Sequence, residues 1–452
     1  MLWRDTALLN LLKDLIQNRH LLLLGFGREG RSTLRRVLEA GGYASLTIAD
    51  QNRVSTEDPS IQILSGPSYM DTLDRYDLVF KSPGIVLPRD PSSYACRFTS
   101  QMEVFFGAYR DQIIGITGTK GKSTVTTLLY HLLKENGRST VLAGNIGIPA
   151  FDVLEEIEGR TQIVCELSCH QLEYIHVSPH VSILLNIHEE HLDHYGTMER
   201  YVHSKQQIYL HQKPEDLLLC DLSSRPEEGT CLSHIYTVSD QSSAADVLLS
   251  GTRIRFEKEH FEIPAGEIRL LGHHNHLDIA FVYAVCRMLG LTDGQFAAAL
   301  KTYEPLPHRL HFIGERCGVR YYDDSISTIC DTTIQALKSV PSVGSILIGG
   351  MDRGIDYEEL IDYLSADPVP HIILMADTGR RIYREIHDAH PGFHRPERLV
   401  RVDTLREAVD AARRLTSPGD ACVLSPAAAS YGIFKNFEER GDVFASLALE
   451  SV

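Results

Sequence analysis

Residues 118–124 read Gly-Thr-Lys-Gly-Lys-Ser-Thr, between an apolar run of strand length at 113–117 and a helical pattern reaching about residue 135. A glycine-rich turn between strand and helix lets backbone N–H groups point at phosphate oxygens, and the helix N-terminus favours the same charge. In such a loop Lys122 would reach the β- and γ-phosphates, and the Ser123 hydroxyl would ligate Mg²⁺. The spacing departs from the strict phosphate-loop pattern. Position 116 is Ile, and the nearest glycines are Gly115 and Gly118. Strand, loop, Lys-Ser pair and helix nevertheless agree. The segment is therefore read as a variant ATP loop, with contacts from Gly118, Thr119, Lys120, Gly121, Lys122, Ser123 and Thr124.

Further residues could serve the same chemistry. Glu166 closes a buried-looking strand, where a carboxylate in an ATP domain can ligate Mg²⁺. The run His188-Glu-Glu-His191-Leu-Asp-His194 has the look of a zinc cluster. It is not HExxH, however, and no cysteine or distant histidine pair completes a tetrahedral set in the sequence. One histidine assisting Mg²⁺ is the expectation instead. Lys205 lies 14 residues beyond His191 in a helical stretch and, taken alone, reads as a surface lysine. Nearer the N-terminus, Gly25, Gly27 and Gly30 fit G-x-G-x-x-G, and Asp50 follows Gly30 by 20 residues. That is the dinucleotide fingerprint. By itself it leaves open NAD, another nucleotide or a bare turn. An ATP loop downstream favours a different nucleotide.

The elements that must hold these residues form three α/β segments. The first has strands at 20–26, 47–50 and 78–80 and a helix to about residue 40. It is preceded by an amphipathic helix carrying Leu8, Leu11, Leu12 and Leu15. The second has strands at 113–117, 163–167 and 181–187, helices at 198–211, 274–289 and 293–303, and an antiparallel patch between 245 and 271. The third alternates strand and helix from about 305: 319–323, 332–339, 345–349, 357–364, 371–375, 405–415 and 421–424. A chain of 452 residues accommodates about three domains. With 44 Lys plus Arg against 60 Asp plus Glu, the formal charge is −16, which speaks against a general nucleic-acid binder. No apolar run approaches a membrane span. Nine scattered cysteines with no CxxC suggest reduced thiols in a cytoplasmic protein.

Eight segments in order carry a family resemblance: GITGTKGKST (115–124), GNIG (144–147), ELSCHQLE (166–173), NIHEEHLDHY (186–195), YVHSKQQIY (201–209), LPHRLH (306–311), DDSIST (323–328) and SPAAASYGIFKNFEERG (425–441). The chain resembles the ATP-dependent Mur ligases over nearly its full length, and most closely their D-glutamate-adding branch. The resemblance implies a Rossmann-like UDP-substrate domain at 1–109, a central P-loop ATPase domain at 110–304 and a Rossmann-like amino-acid domain at 305–452. It implies that ATP phosphorylates the carboxylate of UDP-N-acetylmuramoyl-L-alanine and that D-glutamate attacks the acyl phosphate, a step of peptidoglycan synthesis. Two Mg²⁺ ions are implied, one on Ser123 and Glu166, the other on His191 and a carbamylated Lys205. Lys122, Glu166, His191 and Lys205 would be catalytic. Arg28, Glu29, Asp50, Gln51, Ser82, Gly84, Asn145 and Ser168 fall where the family contacts the UDP substrate. Asp278, His308, Arg309 and Asp324 fall on the ATP side, with Arg309 on phosphate and Asp324 on ribose. Thr328, Arg353, Ser430 and Phe437 fall where the amino acid binds. A monomer without nucleic-acid or membrane partners is expected.

The chain departs from the family in the third segment. The family's DSKATN reads Asp324-Ser-Ile-Ser-Thr-Ile329, so its lysine is Ile326 and its asparagine Ile329. Lys120 is a candidate replacement cation. Asp278 stands where the family has an adenine-side asparagine. The ATP machinery is intact, while amino-acid choice is open to an L-glutamate-adding variant or a folylpolyglutamate-synthase-like ligase.

Overall fold

The computed structural model describes residues 6–366, 368–389, 393 and 396–450. The ends of the first and third expected domains, 1–5 and 451–452, lie outside the described residues. The first sheet contains β1 (His20–Leu24), β2 (Ser45–Asp50), β3 (Gln62–Ser65), β4 (Leu78–Lys81) and β5 (Arg97–Thr99). Its order is β3-β2-β1-β4-β5 and every pairing is parallel. Strand order therefore reverses beside β1, the place where open α/β sheets bind ligands. Leu21–Leu24 are buried, as a central parallel strand covered on both faces requires. The turn after β1 depends on Gly30. A Cβ there would lie 2.2 Å from the Gly25 carbonyl oxygen, so only glycine lets the helix Arg28–Ala40 sit so close to the strand.

The second sheet contains β6 (Ile113–Thr117), β7 (Thr140–Gly144), β8 (Gln162–Glu166), β9 (Val181–Leu184), β10 (Leu217–Asp221), β11 (His234–Ser239), β12 (Val247–Ser250), β13 (Arg253–Phe256) and β14 (Glu259–Glu262). The order is β14-β13-β12-β11-β10-β9-β6-β8-β7. Only β12–β13 and β13–β14 pair antiparallel, which is the antiparallel patch expected between 245 and 271. The phosphate-loop strand β6 lies between β8 and β9, so loops after three neighbouring strands open side by side.

These two sheets share one apolar core. Leu21, Phe26, Phe105, Phe106, Val141, Phe151 and Ile163 belong to it. The helix Gln101–Tyr109 is buried along most of its length and supplies much of the joint. Polar ties reinforce it: the Ser32 hydroxyl and Arg35 both donate to Asp152, at 2.6 and 2.5 Å, and Arg36 donates to the Phe151 carbonyl at 3.2 Å. By contact, residues up to Ile263 together with Leu277–Leu300 form one compact unit.

Pro264–His276 together with the chain from Lys301 form the other unit. Its sheet contains β15 (His311–Arg316), β16 (Val319–Asp323), β17 (Val343–Gly349), β18 (His371–Met375), β19 (Leu399–Val402) and β20 (Ala421–Leu424). The order is β15-β16-β20-β17-β18-β19, parallel except for β15–β16. Two apolar clusters lie on this sheet. Arg440, in the helix Phe437–Leu449, is 1% exposed. Its guanidinium donates to the Ser325 hydroxyl (3.0 Å), the Ser325 carbonyl (2.7 Å) and the Ala428 carbonyl (3.0 Å). One side chain thus joins the turn after β16 to the loop after β20. All three acceptors are neutral. Burial pushes the guanidinium down to about 10, with Asp323 opposing the shift.

Removing this group would strand two buried carbonyls. Arg440→Met is expected to destabilise the C-terminal unit by about 2–4 kcal/mol. Urea unfolding of the full chain, followed by hydrogen exchange in each unit, checks this. The loss should appear in amides of the C-terminal unit and leave those of the first unit unchanged.

Candidate functional site

The loop between β6 and the helix Lys122–Glu135 is held from outside itself. The Thr119 amide donates to the Asn186 carbonyl (2.8 Å), and the Lys120 amide donates to the Asn186 side-chain oxygen (2.8 Å). The Asn186 side-chain amide returns a bond to the Lys120 carbonyl at 3.1 Å. The Thr119 hydroxyl pairs with the Tyr201 hydroxyl (2.9 Å) and accepts from the His188 amide (2.9 Å). Gly121 sits at φ +85°, and a Cβ on it would approach the Asp278 carboxylate to 2.6 Å. The left-handed turn and the nearby carboxylate both require glycine there. Lys122 Nζ donates to the carbonyls of Gly118 (2.9 Å) and Thr119 (2.8 Å). Ser123 and Thr124 follow in the first helical turn.

Glu166 emerges beside this loop, because it ends β8 in register with Ile116 of β6. It is 2% exposed. One carboxylate oxygen accepts from the Asn145 side-chain amide at 2.7 Å. The other, Oε2, is buried with no hydrogen-bond partner. An anionic oxygen withdrawn from water and left open fits a cation, so Glu166 suits a divalent ion. Asn145 belongs to the GNIG turn, where a Cβ on Gly147 would lie 3.5 Å from the Arg28 guanidinium. The turn after β1 and the acid after β8 are therefore neighbours.

Lys205 proves to be no surface lysine. It is 1% exposed in the helix Met198–Leu210, and its Nζ donates to the Gly118 carbonyl at 2.8 Å. Burial, then the Lys122 charge, pushes it down to about 8. His191 holds a left-handed backbone (φ 57°) ahead of the short helix Leu192–Tyr195, and its side chain is 41% exposed. Its ring stands edge-on to that of His170, with centroids 4.9 Å apart. Burial, then His194 and His191, pushes His170 down to about 4. Ligand atoms of Cys169, His170 and His191 lie within 4.8 Å of one another. Three such atoms fall short of the tetrahedral set that the sequence did not offer, but the structure does bring a cysteine to the histidine run. Cys169 and His170 lie some twenty residues upstream of His191 and meet it only because β8 and β9 both flank β6.

On the first sheet the structure groups most of the expected UDP-side residues around the turn after β1. Asp50 accepts from the amides of Phe26 (2.7 Å) and Asn52 (2.8 Å), which shapes that turn, while Gln51 is exposed. Ser82 donates to the Gly25 carbonyl at 3.1 Å, and Gly84 is exposed at φ +78°. Lys81, which ends β4, is 4% exposed and lies 3.8 Å from Glu173 and over the Tyr174 ring at 4.9 Å. Burial lowers it, against Glu173 and Glu29. Burial also pushes Glu29 up to about 7, opposed by a Gln171 hydrogen bond and by Lys81. Ser168 caps the helix Cys169–Leu172 in a reciprocal box with Gln171. A thread of Glu29, Lys81, Gln171 and Glu173 thereby joins the first sheet to the ELSCHQLE segment. The likeness to the family places Lys81 to Gly84 on the sugar-nucleotide side, and the contact of Lys81 with Glu173 and Tyr174 is set by the fold rather than by spacing.

In the C-terminal unit, His308 Nδ1 bonds Asp323 at 2.6 Å, which raises its pKa. Arg309 Nε is buried with no partner. Asp324 is 4% exposed and accepts from the Leu310 amide (3.0 Å) and the Ser425 hydroxyl (2.7 Å). Burial pushes it up to about 6. Arg353 donates to the Thr328 carbonyl at 3.3 Å. Phe437 accepts a bond from Ser325 at its carbonyl. Ser430 lines a cavity of about 400 Å³ with Gly349, Gly350, Met375, Leu405 and Arg440. Ile326 is half-buried and Ile329 is 39% exposed.

A doubly wound sheet, a phosphate loop on a second sheet and a third α/β unit, with a buried open carboxylate beside the loop, define a P-loop nucleotide protein of the three-domain α/β class. The chain is 33% identical over 459 residues to the UDP-N-acetylmuramoylalanine–D-glutamate ligase of Pelotomaculum thermopropionicum, covering 97% of this chain and 99% of that one. It is 32% identical over 453 residues to the ligase of the same name from Geobacillus kaustophilus, covering 95% and 97%. The Mur ligase middle domain matches residues 116–286. The chain belongs to the Mur ligase family. Its fold is shared by the crystal structure of MurF ligase from Thermotoga maritima in complex with ADP, with a TM-score of 0.59 over 97% of this chain and 98% of that one, at 18% identity. Among the described residues, no helix is long and apolar enough to cross a membrane.

The raised Glu29 gives a pH signature. The folded state holds its proton up to about 7, whereas the unfolded chain releases it near pH 4.5. Across that window the native state binds the extra proton, so stability falls as pH rises from about 4.5 to 7. Glu29→Gln is expected to gain about 1–2 kcal/mol over the parent at pH 8, less than the full shift because the residue is only half-buried, and little at pH 5. Urea midpoints at the two pH values check the sign.

Proposed function

We propose that this chain adds D-glutamate to UDP-N-acetylmuramoyl-L-alanine with cleavage of ATP to ADP and phosphate, as a monomeric cytoplasmic enzyme of peptidoglycan synthesis. The observation that carries the reading is the open, buried Glu166 oxygen beside a phosphate loop whose mouth holds Lys122 and Lys205. Full-length similarity to relatives of that activity supports it. The domain boundaries 109/110 and 304/305 are part of the proposal.

A carboxylate is a poor electrophile, so an amine attacks it only after its oxygen has become a leaving group. Phosphoryl transfer from ATP supplies that group. It crowds the triphosphate, the substrate carboxylate and the developing phosphate together, and cations must offset their charge. Backbone amides of 118–124 and Lys122 would bind the phosphates. Mg²⁺, held by Ser123 and Glu166 and by His191 with a carbamylated Lys205, would neutralise the transferring oxygens. Lys205 suits that modification, because an amine lowered to about 8 has a far larger neutral fraction near physiological pH than an ordinary lysine, and only the neutral form adds carbon dioxide. Asn145 fixes the Glu166 carboxylate and, with Ser168, would face the substrate. Arg28, Glu29, Asp50, Gln51, Ser82 and Gly84 would bind the uridine diphosphate at the β1 turn. Asp278, His308, Arg309 and Asp324 would serve the nucleotide, with Asp324 also anchoring the turn that carries Arg309 through Leu310. Thr328, Arg353, Ser430 and Phe437 would receive the amino acid.

A second reading rests on a specific observation. Ile326 and Ile329 replace a lysine and an asparagine beside Thr328, so a different amino acid is the competing substrate choice. Phosphate release from ATP with UDP-N-acetylmuramoyl-L-alanine is the test, run with D-glutamate, L-glutamate, D-aspartate and no amino acid. Turnover with D-glutamate alone is expected. Turnover with another amino acid alone would replace the first reading by the second. Lys122→Ala and Glu166→Gln should each lower turnover by about 100-fold or more. Near-normal turnover in Glu166→Gln would remove it from the reaction.

A further inference from the structure

The cluster that the phosphate-loop chemistry leaves over is Cys169, His170 and the outer side of His191. Cys169 is 2% exposed, packed with Tyr195 and Tyr201, and its sulfur stands 3.7 Å from His170 Nδ1. The three ligand atoms lie within 4.8 Å of one another. Among the described residues, no other set of three metal-ligating side chains converges in this way. A tetrahedral zinc, with Zn–S about 2.3 Å and Zn–N about 2.0 Å, separates its ligands by roughly 3.3–3.7 Å. The Cys169–His170 pair already has that separation, and the His191 ligand atom lies within 4.8 Å of both.

The composition of the set decides its metal. A thiolate and two imidazoles are soft to borderline donors, which favour Zn²⁺ over Mg²⁺. His194, whose ring lies 4.5 Å from that of His170, is held elsewhere by Glu173 at 3.3 Å. The set is therefore a three-ligand one with a fourth position open to water. Three ligands and an open position describe an exchangeable zinc rather than a closed structural one. The scaffold is short: Ser168 caps the turn that carries Cys169 and His170, and His191, with a left-handed backbone, places its ring 4.9 Å from that of His170.

We propose that Cys169, His170 and His191 form a zinc-binding site beside the phosphate loop. Binding forms a Zn–S bond and two Zn–N bonds and releases the thiol proton and bound waters to solvent. No redox change is involved. Resting on the functional reading above, occupancy withdraws His191 from Mg²⁺, so zinc acts as an inhibitor of the ligase.

Co²⁺ is the probe, because it takes zinc's place and reports its ligands by absorbance. Titration of the full chain, with no nucleotide or substrate, is expected to give one equivalent of tetrahedral Co²⁺ with a thiolate charge-transfer band that Zn²⁺ displaces. Cys169→Ser should abolish the charge-transfer band, and His170→Phe should weaken binding at least tenfold. Circular dichroism confirms that each variant is folded. A parent spectrum without the thiolate band, or one unchanged in Cys169→Ser, overturns the site. With substrates, turnover of Cys169→Ser in Mg²⁺ alone should match the parent, and its half-inhibitory Zn²⁺ should rise at least tenfold. An equal zinc sensitivity in parent and variant overturns the inhibition. The cobalt spectrum is read without turnover, so an absence of ligase activity counts against the functional reading and leaves the metal site to its own test.

Discussion

Two ammonium groups converge on one carbonyl oxygen. Lys122 and Lys205 both donate to the oxygen of Gly118, at 2.9 and 2.8 Å, from helices with β7, β8 and β9 between them in the chain. Like charges this close repel, and the repulsion joins burial in holding Lys205 near 8. Such an arrangement raises the cost of the folded chain alone. In the role proposed above, anionic oxygens beside Lys122 and carbamylation of Lys205 would each relieve it.

Everything around that oxygen follows from one feature of sheet order. Because β6 lies between β8 and β9, the segments that leave the C-terminal ends of three neighbouring strands open at one edge. β6 gives the loop, β8 gives Glu166 and the ELSCHQLE turn, and β9 gives Asn186, His188 and His191. Asn186 clamps the loop through both its main chain and its side chain, so the turn does not rely on packing of its own side chains. The first sheet is brought to the same edge by a shared core and by Lys81, which is buried against Glu173 and Tyr174.

Local pattern carried the strands that are long, apolar and buried. The segments 20–26, 113–117, 345–349 and 421–424 stand out because a strand covered on both faces is a continuous apolar run. The antiparallel patch was also legible from its short alternating pieces. Shorter or edge strands such as β3 and β5 were not, since three or four half-exposed residues leave no period to read. The helix Ala376–Ala389 went unread for a different reason: its sequence, ADTGRRIYREIHDA, carries few apolar residues and a glycine near its start, so its apolar face is thin. The helix Gln101–Tyr109 is buried nearly all round and presents no polar face to mark its turn. At the site, the loop and Glu166 were visible because their spacing is local. Lys205 read as a surface lysine until family likeness singled it out, since burial by strands distant in sequence leaves no local trace. Cys169 with His191 is the same case: the chain between them runs through β9, and their adjacency is a property of sheet order.

The C-terminal unit accommodates two departures from the family pattern without disturbing the backbone that surrounds them. Ser325 is fixed by Arg440 and bonds the Phe437 carbonyl, and Asp324 is fixed by Leu310 and Ser425. These bonds set the course of the chain through 324–328 whatever side chains occupy 326 and 329. Ile326 is tied only by its backbone amide, to the His308 carbonyl, and Ile329 projects into solvent at the start of the helix Cys330–Ser339. Replacing a lysine and an asparagine at these two positions therefore removes a charge and an amide beside Thr328 while the backbone that presents Thr328 stays in place. In the amino-acid-binding role proposed above, matching a second carboxylate would fall to Arg353, whose guanidinium is held at the Thr328 carbonyl and whose planar donors suit a carboxylate better than a point charge does.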